Sequence, residues 1–326
     1  MLPQVGINWV KTPVWFNARD SKRADALIRF VELLGASNID VVGIIDQPPP
    51  MPQLSEHTNH EVAIAELLSA DSTGWTAMFE PVMARLALRV RWWQLGKDGD
   101  ISFVGFPNLN KRVEEIRTAL FRFGQDVRIG VNWDWASLDT SGGPVAWDFQ
   151  QLVSESLPSE AEFAELLARP RENKALRWVT IQPPPRSSAA AQTTEAQLLS
   201  RSSELVRRMV SAKVRGADAI IVSDPFNDDI GLMRASGMPG ELLMPWRTTA
   251  VMLGGAEYIG RMQLPSASEN HIFRQADGQM VMVVWNTTPV EETLYLGENV
   301  KQFDIFGRST KLDSVGSEQT VHVGPT

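Results

Sequence analysis

Aspartates stand at or just beyond the ends of apolar runs in this chain: Asp46, Asp98, Asp100, Asp134 and Asp224, with Asp228 and Asp229 close behind. Where such runs are parallel strands joined by helices, their carboxyl ends share one face, so residues far apart in sequence can line one cleft. Two carboxyl groups about 5 Å apart, or roughly 6.5–9.5 Å apart, can cleave a glycosidic bond with retention or inversion. Asp98 is the foremost candidate, in a Gly- and Asp-rich loop directly after a strand. Its neighbour Lys97 would hold it ionised by proximity of charge, or would instead pair with Asp100. Other residues near the strand ends are candidates for holding a ligand: Lys11, Trp15, Asp46, Trp93, Asp100, Trp135 and Gln182, with Arg247 beyond the last strand. Indole faces suit sugar rings, although Trp is equally a core residue and Asp equally a cap or turn former. Arg247 reads either as a ligand for substrate oxygens or as a brace for the loop around residues 224–229, through one of its aspartates.

Other chemistries find little support. His57 and His60 lie near Glu61 but match no helical zinc spacing, so no metal site is expected there. Neither a phosphate-cradling Gly loop nor a G-x-S-x-G elbow occurs, and no cofactor is expected. With no cysteine, disulfides and thiolate chemistry are excluded. A net charge of −8 and a pI near 5.2 argue against a nucleic-acid partner. No run of 18 apolar residues is present, so no membrane span is expected. The first residues lack the basic, apolar and small-residue regions of a secretory signal and already read as a strand. The compartment stays open. Asn286-Thr287-Thr288 matches a glycosylation acceptor, a pattern too short to weigh.

The elements that must position these residues follow from periodicity. Apolar runs at 5–15, 39–46, 90–96, 127–135, 144–153, 176–182 and 217–224 read as strands. Between several of them lie segments with helical spacing, such as Ala24, Leu27, Ile28, Val31 and Leu34 behind a possible Ser21 cap, or Leu109, Val113, Ile116 and Leu120. Ser159 with Glu162 and Thr194 with Gln197 are capping-box candidates. Near-continuous apolar strands separated by helices indicate a parallel sheet covered on both faces. Seven strands are counted before Asp224, one short of a closed eight. After residue 255 the period changes to two. The segments 271–274 and 280–285 flank Ala276-Asp277-Gly278, a hairpin signal, and 292–296, 300–306 and 320–323 complete an antiparallel set. The expected architecture is a (β/α)8 TIM-type barrel over 1–255, either lacking its first strand or irregular in its N-terminal segment, with a C-terminal antiparallel β-sandwich over 256–326.

The run Trp92-Trp93-Gln94-Leu95-Gly96-Lys97-Asp98 resembles the W-E-hydrophobic-G-N-E-P-D strand of retaining glycoside hydrolases built on this barrel with two catalytic glutamates. The resemblance covers most of the chain, from Val5 to about Val323, and implies a C-terminal β-sandwich and carbohydrate as the partner. Under it, Asp98 falls on the acid/base Glu and Lys97 on the Asn before it. Gln182 falls at the place of the nucleophile, and Asp148-Phe149-Gln150-Gln151 resembles the family's sixth strand. Both glutamates are thus replaced. If the protein hydrolyses, the resemblance gives Asp98 the acid/base role, and the strand-end carboxylates Asp134 or Asp224 are the candidates to replace the lost nucleophile, by an inverting route. If it does not, it is a carbohydrate-binding or scaffolding module, and a segment preceding this chain in a larger polypeptide would supply the missing strand.

Overall fold

The computed structural model describes residues 3–15, 21–47, 63–69, 72–124, 126–135, 137, 143–153, 159–168, 173–186, 194–297, 300–310, 312–315 and 318–324. His57, His60 and Glu61 lie outside them. The elements in chain order begin with β1 (Trp9–Pro13), α1 (Ser21–Ala36), β2 (Asp40–Ile45), α2 (Ile64–Ser69), α3 (Ser72–Leu86), β3 (Trp92–Leu95), α4 (Leu109–Phe121) and β4 (Arg128–Asp134). They continue through β5 (Phe149–Val153), α5 (Glu160–Ala168), β6 (Leu176–Ile181), α6 (Glu195–Val214), β7 (Ala219–Val222) and α7 (Leu243–Leu253). The seven strands form one sheet in sequence order, the arrangement expected of a (β/α) barrel. The registers from β1 to β6 are parallel throughout. All seven strands expected from the sequence are present. None of the described helices is long and apolar enough to cross a membrane.

The chain divides into two compact units. One comprises Ile7–Leu157 and Arg169–Thr180 and holds β1 to β5 and nearly all of β6. Within it the sheet is strongly curled. Trp9 on β1 and Trp178 on β6 have ring centroids 5.0 Å apart. Five strand spacings of a flat sheet would separate the same two strands by about 24 Å. The curl encloses an aromatic floor in which Trp178 also stacks on Phe149 at 4.0 Å, and Trp92 touches Trp9 at 5.1 Å and Phe149 at 5.7 Å. Gly130 makes room for this floor, because a β-carbon there would lie 2.0 Å from the Phe149 ring. On the opposite face of the sheet, Trp93 and Trp15 pack against Phe79 of α3, and all three are buried.

The other unit contains residues Met1–Gly6, Pro158–Ala168 and Ile181–Thr326. Its α6 starts with Thr194 as a true capping box, the Thr194 side chain accepting from the Gln197 amide and the Gln197 side chain from that of Thr194. Ser159 and Glu162 bond in the same reciprocal way at α5. Beyond α7 the strands β8 (Glu257–Gly260), β9 (Glu269–Arg274) and β10 (Met280–Trp285) form one antiparallel sheet. Gly278, at φ +87°, turns the β9–β10 hairpin as Ala276-Asp277-Gly278 predicts. β11 (Val290–Leu294), β12 (Gln302–Phe303), β13 (Ser309–Thr310), β14 (Asp313–Val315) and β15 (Glu318–Val323) follow, with β11, β15 and β14 in a second three-stranded sheet and β12 paired to β13. The strand expected over 300–306 is therefore only two residues long. Met282 and Val284 meet Leu294, Val321 and Val323 between the two larger sheets, a β-sandwich core. Phe273 and Val281 on the other side of the first sheet pack on Val206 and Val210 of α6.

Glu292 is buried in this sandwich and accepts the backbone amides of Ser266 and Ser268 at 2.9 and 3.2 Å. Burial pushes its carboxyl up, but the bonds from Ser268 and Ser266 outweigh burial and hold it below the usual glutamate range. Its contribution to stability is therefore complete above the unfolded-chain value of about 4.3 and is lost as the pH falls through the lower folded value. Glu292→Gln is expected to lower the urea midpoint at pH 7, with the gap to wild type closing toward pH 3. In the aromatic floor, Gly130→Ala is expected to cost about 2–3 kcal/mol in the same assay, because the ring of Phe149 has no room to retreat.

Candidate active site

Period-two alternation determines what lies above the aromatic floor. Two residues on from Trp9, Trp92, Gly130, Phe149 and Trp178 come Lys11, Gln94, Asn132, Gln151 and Thr180, on the same concave face and nearer the carboxyl ends of the strands. An aromatic layer is thus followed by a polar one, at the end of the sheet where ligands bind in such folds. The polar layer is joined across the concavity. The ammonium of Lys11 donates to Asp98 Oδ1 and to Gln151 Oε1. Asp98 Oδ1 also accepts from Gln94 Nε2 and from Gln151 Nε2, each at 2.9 Å. Gln151 Nε2 reaches Thr180 Oγ1 at 3.0 Å, and Asn132 Nδ2 donates to the carbonyl of Lys97 at 2.8 Å, anchoring the loop that carries Asp98.

The side chain of Lys11 is 7 % exposed and that of Asp98 28 %. Burial lowers the Lys11 amine against the opposing pull of Asp98. For Asp98, burial pushes the carboxyl up, while Lys11 first, and then Gln94 and Gln151, pull it down, leaving it below the usual aspartate range. Asp98 thus serves as an acceptor whose charged form is favoured by Lys11 and the two amides. The cation responsible is Lys11, on β1, and not the adjacent Lys97, whose side chain is exposed. Lys97 meets Asp100 through the backbone, its carbonyl accepting the Asp100 amide at 2.9 Å, while Asp100 Oδ1 takes the amide of Ser102. Gly96, at φ +84°, permits this turn, since a β-carbon there would lie 2.7 Å from Asp100 Oδ2.

The sequence candidates therefore separate. Lys11 and Asp98 come together. Asp46, after β2, is half-buried, and Asp134, at the end of β4, accepts from Ser137 Oγ at 3.3 Å. Trp15, Trp93 and Trp135 are all below 8 % exposure, so their rings serve the core. In the other unit, Gln182 follows β6 and is half-buried. Asp224 is exposed in a left-handed turn at φ +46°, its Oδ2 accepting from Asn227 Nδ2, the behaviour of a turn former. Arg247 Nε donates to the carbonyl of Gln4 at 2.9 Å, so it braces the N-terminal turn instead of an aspartate of the 224–229 loop. Sequence reasoning names Gln94 and Gln151 only within strand motifs and gives no site role to Asn132 or Thr180. The available signal was an amide inside each of three apolar runs, W-W-Q-L, G-V-N-W and F-Q-Q-L, at positions that alternation aims inward.

Two features of this layer govern what it can do. Gln94 and Asn132 are wholly buried, and Gln94 Oε1 and Asn132 Oδ1 have no hydrogen-bond partner among the described residues. Each such acceptor costs about 1–3 kcal/mol unless a ligand or water supplies a donor. The described residues contain no group of three or more His, Asp or Glu able to hold a metal ion.

No protein-family model and no curated protein matches the sequence. The fold does match solved structures. A family 39 glycoside hydrolase from the gut symbiont Bacteroides cellulosilyticus WH2 superposes with a TM-score of 0.67 over 99 % of this chain and 75 % of its own, at 10 % identity. An exo-β-1,4-mannosidase from Opitutaceae bacterium strain TAV5 gives 0.52 over 77 % of this chain, at 14 % identity, and the match spans 53 % of the mannosidase. The Nostoc punctiforme debranching enzyme gives 0.53 over 99 % of this chain and 85 % of its own, at 12 % identity. The protein therefore has the fold of glycoside hydrolases.

Breaking the Lys11–Asp98 pair from either side leaves an uncompensated charge in the concavity. Lys11→Met and Asp98→Asn are each expected to cost about 2–4 kcal/mol in chemical denaturation, less than a fully buried pair because Asp98 is partly exposed. The double variant is expected to lose clearly less than the sum of the two, and strict additivity would show that the charges do not interact.

Proposed function

We propose that the protein binds carbohydrate on the concave face of its curled sheet without using Asp98 as a proton donor. The observation that carries this reading is the polar layer of Lys11, Gln94, Asp98, Asn132, Gln151 and Thr180 above the aromatic floor. Side-chain amides, a carboxylate and an ammonium are the groups that exchange hydrogen bonds with sugar hydroxyls, and such convergent polar groups over an apolar base suit a small-molecule site. A likeness of fold to glycoside hydrolases agrees with a saccharide ligand.

Hydrolysis would require a carboxyl that is protonated when the leaving oxygen departs. Asp98 holds the opposite state, because Lys11 stabilises its charge and its Oδ1 already collects three donors. These contacts support recognition over turnover. Isothermal titration calorimetry with a panel of mono- and disaccharides is expected to give heat for at least one of them, and aryl glycosides are expected to show no turnover. Asp98→Asn is expected to weaken that binding about tenfold, roughly 1.4 kcal/mol. Aryl-glycoside hydrolysis abolished by Asp98→Asn would overturn this reading in favour of catalysis, and silence toward the whole panel would remove the carbohydrate assignment.

A further inference from the structure

Of the two histidines among the described residues, His322 is exposed and lies 3.4 Å from Glu291. His271 on β9 is half-buried instead. It stands two residues from Phe273, on the face of the β8–β10 sheet that packs on Val206 and Val210 of α6. Its ring meets Tyr258 of β8 and Trp285 of β10 at centroid distances of 5.6 and 5.5 Å, and both of those rings also pack on the α6 cluster. Nδ1 lies 3.4 Å from the Tyr258 hydroxyl.

This position suits an uncharged imidazole. Only the neutral ring has a nitrogen able to accept the Tyr258 hydroxyl proton, since the imidazolium carries a hydrogen on both nitrogens. A charge there would also enter an interface built from Val206, Val210, Phe273 and Val281. Burial disfavours a proton on His271 most strongly. Glu269, exposed on the same strand, pulls the other way, while Arg261 and Arg215 add to burial and leave the ring below the usual histidine range. Arg207 of α6 brings a third cation, over the Trp285 ring at 5.9 Å.

We infer that His271 is an acid-sensitive latch: neutral, it holds the β8–β10 sheet on α6, and a proton on it loosens that contact. The latch is independent of the carbohydrate reading. Folded His271 takes up its proton at a lower pH than the unfolded chain, where histidine titrates at about 6.5. The contact is therefore at full strength above that pH and weakens as the pH falls below it.

Hydrogen exchange followed by NMR on the wild-type chain at pH 7.5 and 5.5, corrected for intrinsic rates, tests this together with an imidazole titration. The His271 midpoint is expected below about 6.5. Amide protection in β9 and β10 is expected to fall about three- to tenfold more than in β2, β3 and β4 of the other unit. His271→Phe, which keeps a ring without a titrating nitrogen, is expected to abolish that extra loss. A His271 midpoint at or above about 6.5 overturns the inference. Protection in β9 and β10 that falls no more than in β2, β3 and β4 overturns it too, as does a folded Phe variant with the pH dependence of the wild type. If the Phe variant does not fold, the titration and exchange of the wild-type chain decide alone.

Discussion

A parallel sheet that curls until its first and sixth strands face each other has an interior that only its own inward side chains can fill. Trp9 and Trp178 meet at 5.0 Å because of that curl, and every inward position from β1 to β6 is constrained by it. Four aromatic rings occupy the lower level, with Gly130 beside Phe149 in place of a fifth side chain. Alternation then forces the next inward residue of each strand into one common level. That this level is polar in five positions, at Lys11, Gln94, Asn132, Gln151 and Thr180, is a property of the sequence that ordinary barrel packing does not require, since branched apolar residues usually fill such layers.

Placing an ammonium, a carboxylate and buried amides inside a fold has a large desolvation cost, which is tolerable only if the groups satisfy one another. Lys11 and Asp98 do so across 87 residues of chain, with Gln94 and Gln151 supplying further donors to the same carboxylate oxygen. A carboxyl that is to donate a proton needs burial without a cation, whereas Asp98 has burial with one. The loop position that resembles the acid/base site of retaining glycosidases here carries an aspartate paired with a lysine from β1. The two amide oxygens left without partners among the described residues are an unrecovered cost of that arrangement.

Much of the fold was legible in the chain. Seven strands, the hairpin at Gly278 and both capping boxes follow from periodicity and turn chemistry, which act over a few residues. The site was legible only in part. Lys11 and Asp98 can be named because each stands near a strand end, but adjacency in sequence offers Lys97 as a partner for Asp98 or for Asp100, whereas the cation that meets Asp98 in space is Lys11. Consecutive loop residues point in different directions, and the Lys97 side chain faces solvent. For Trp15, Trp93 and Trp135 the sequence leaves a ligand-facing and a core role equally open. Their burial depends on packing partners, Phe79 for Trp15 and Trp93, that no local pattern specifies. Gln94, Asn132 and Gln151 needed the register across several strands before their common level could be recognised.

Solved glycoside hydrolases share the fold at 10–14 % identity, a level at which architecture persists while the polar residues of a site are free to change. The account of this protein turns on one interaction, the pairing of Asp98 with Lys11. A pH titration of the Asp98 side-chain carboxyl, followed by carbon-13 NMR on selectively labelled protein, reads that state without reference to any ligand. A midpoint below the ordinary aspartate range is the expected result. A midpoint displaced upward toward neutrality would mean a carboxyl that holds its proton, and would contradict the account at its centre.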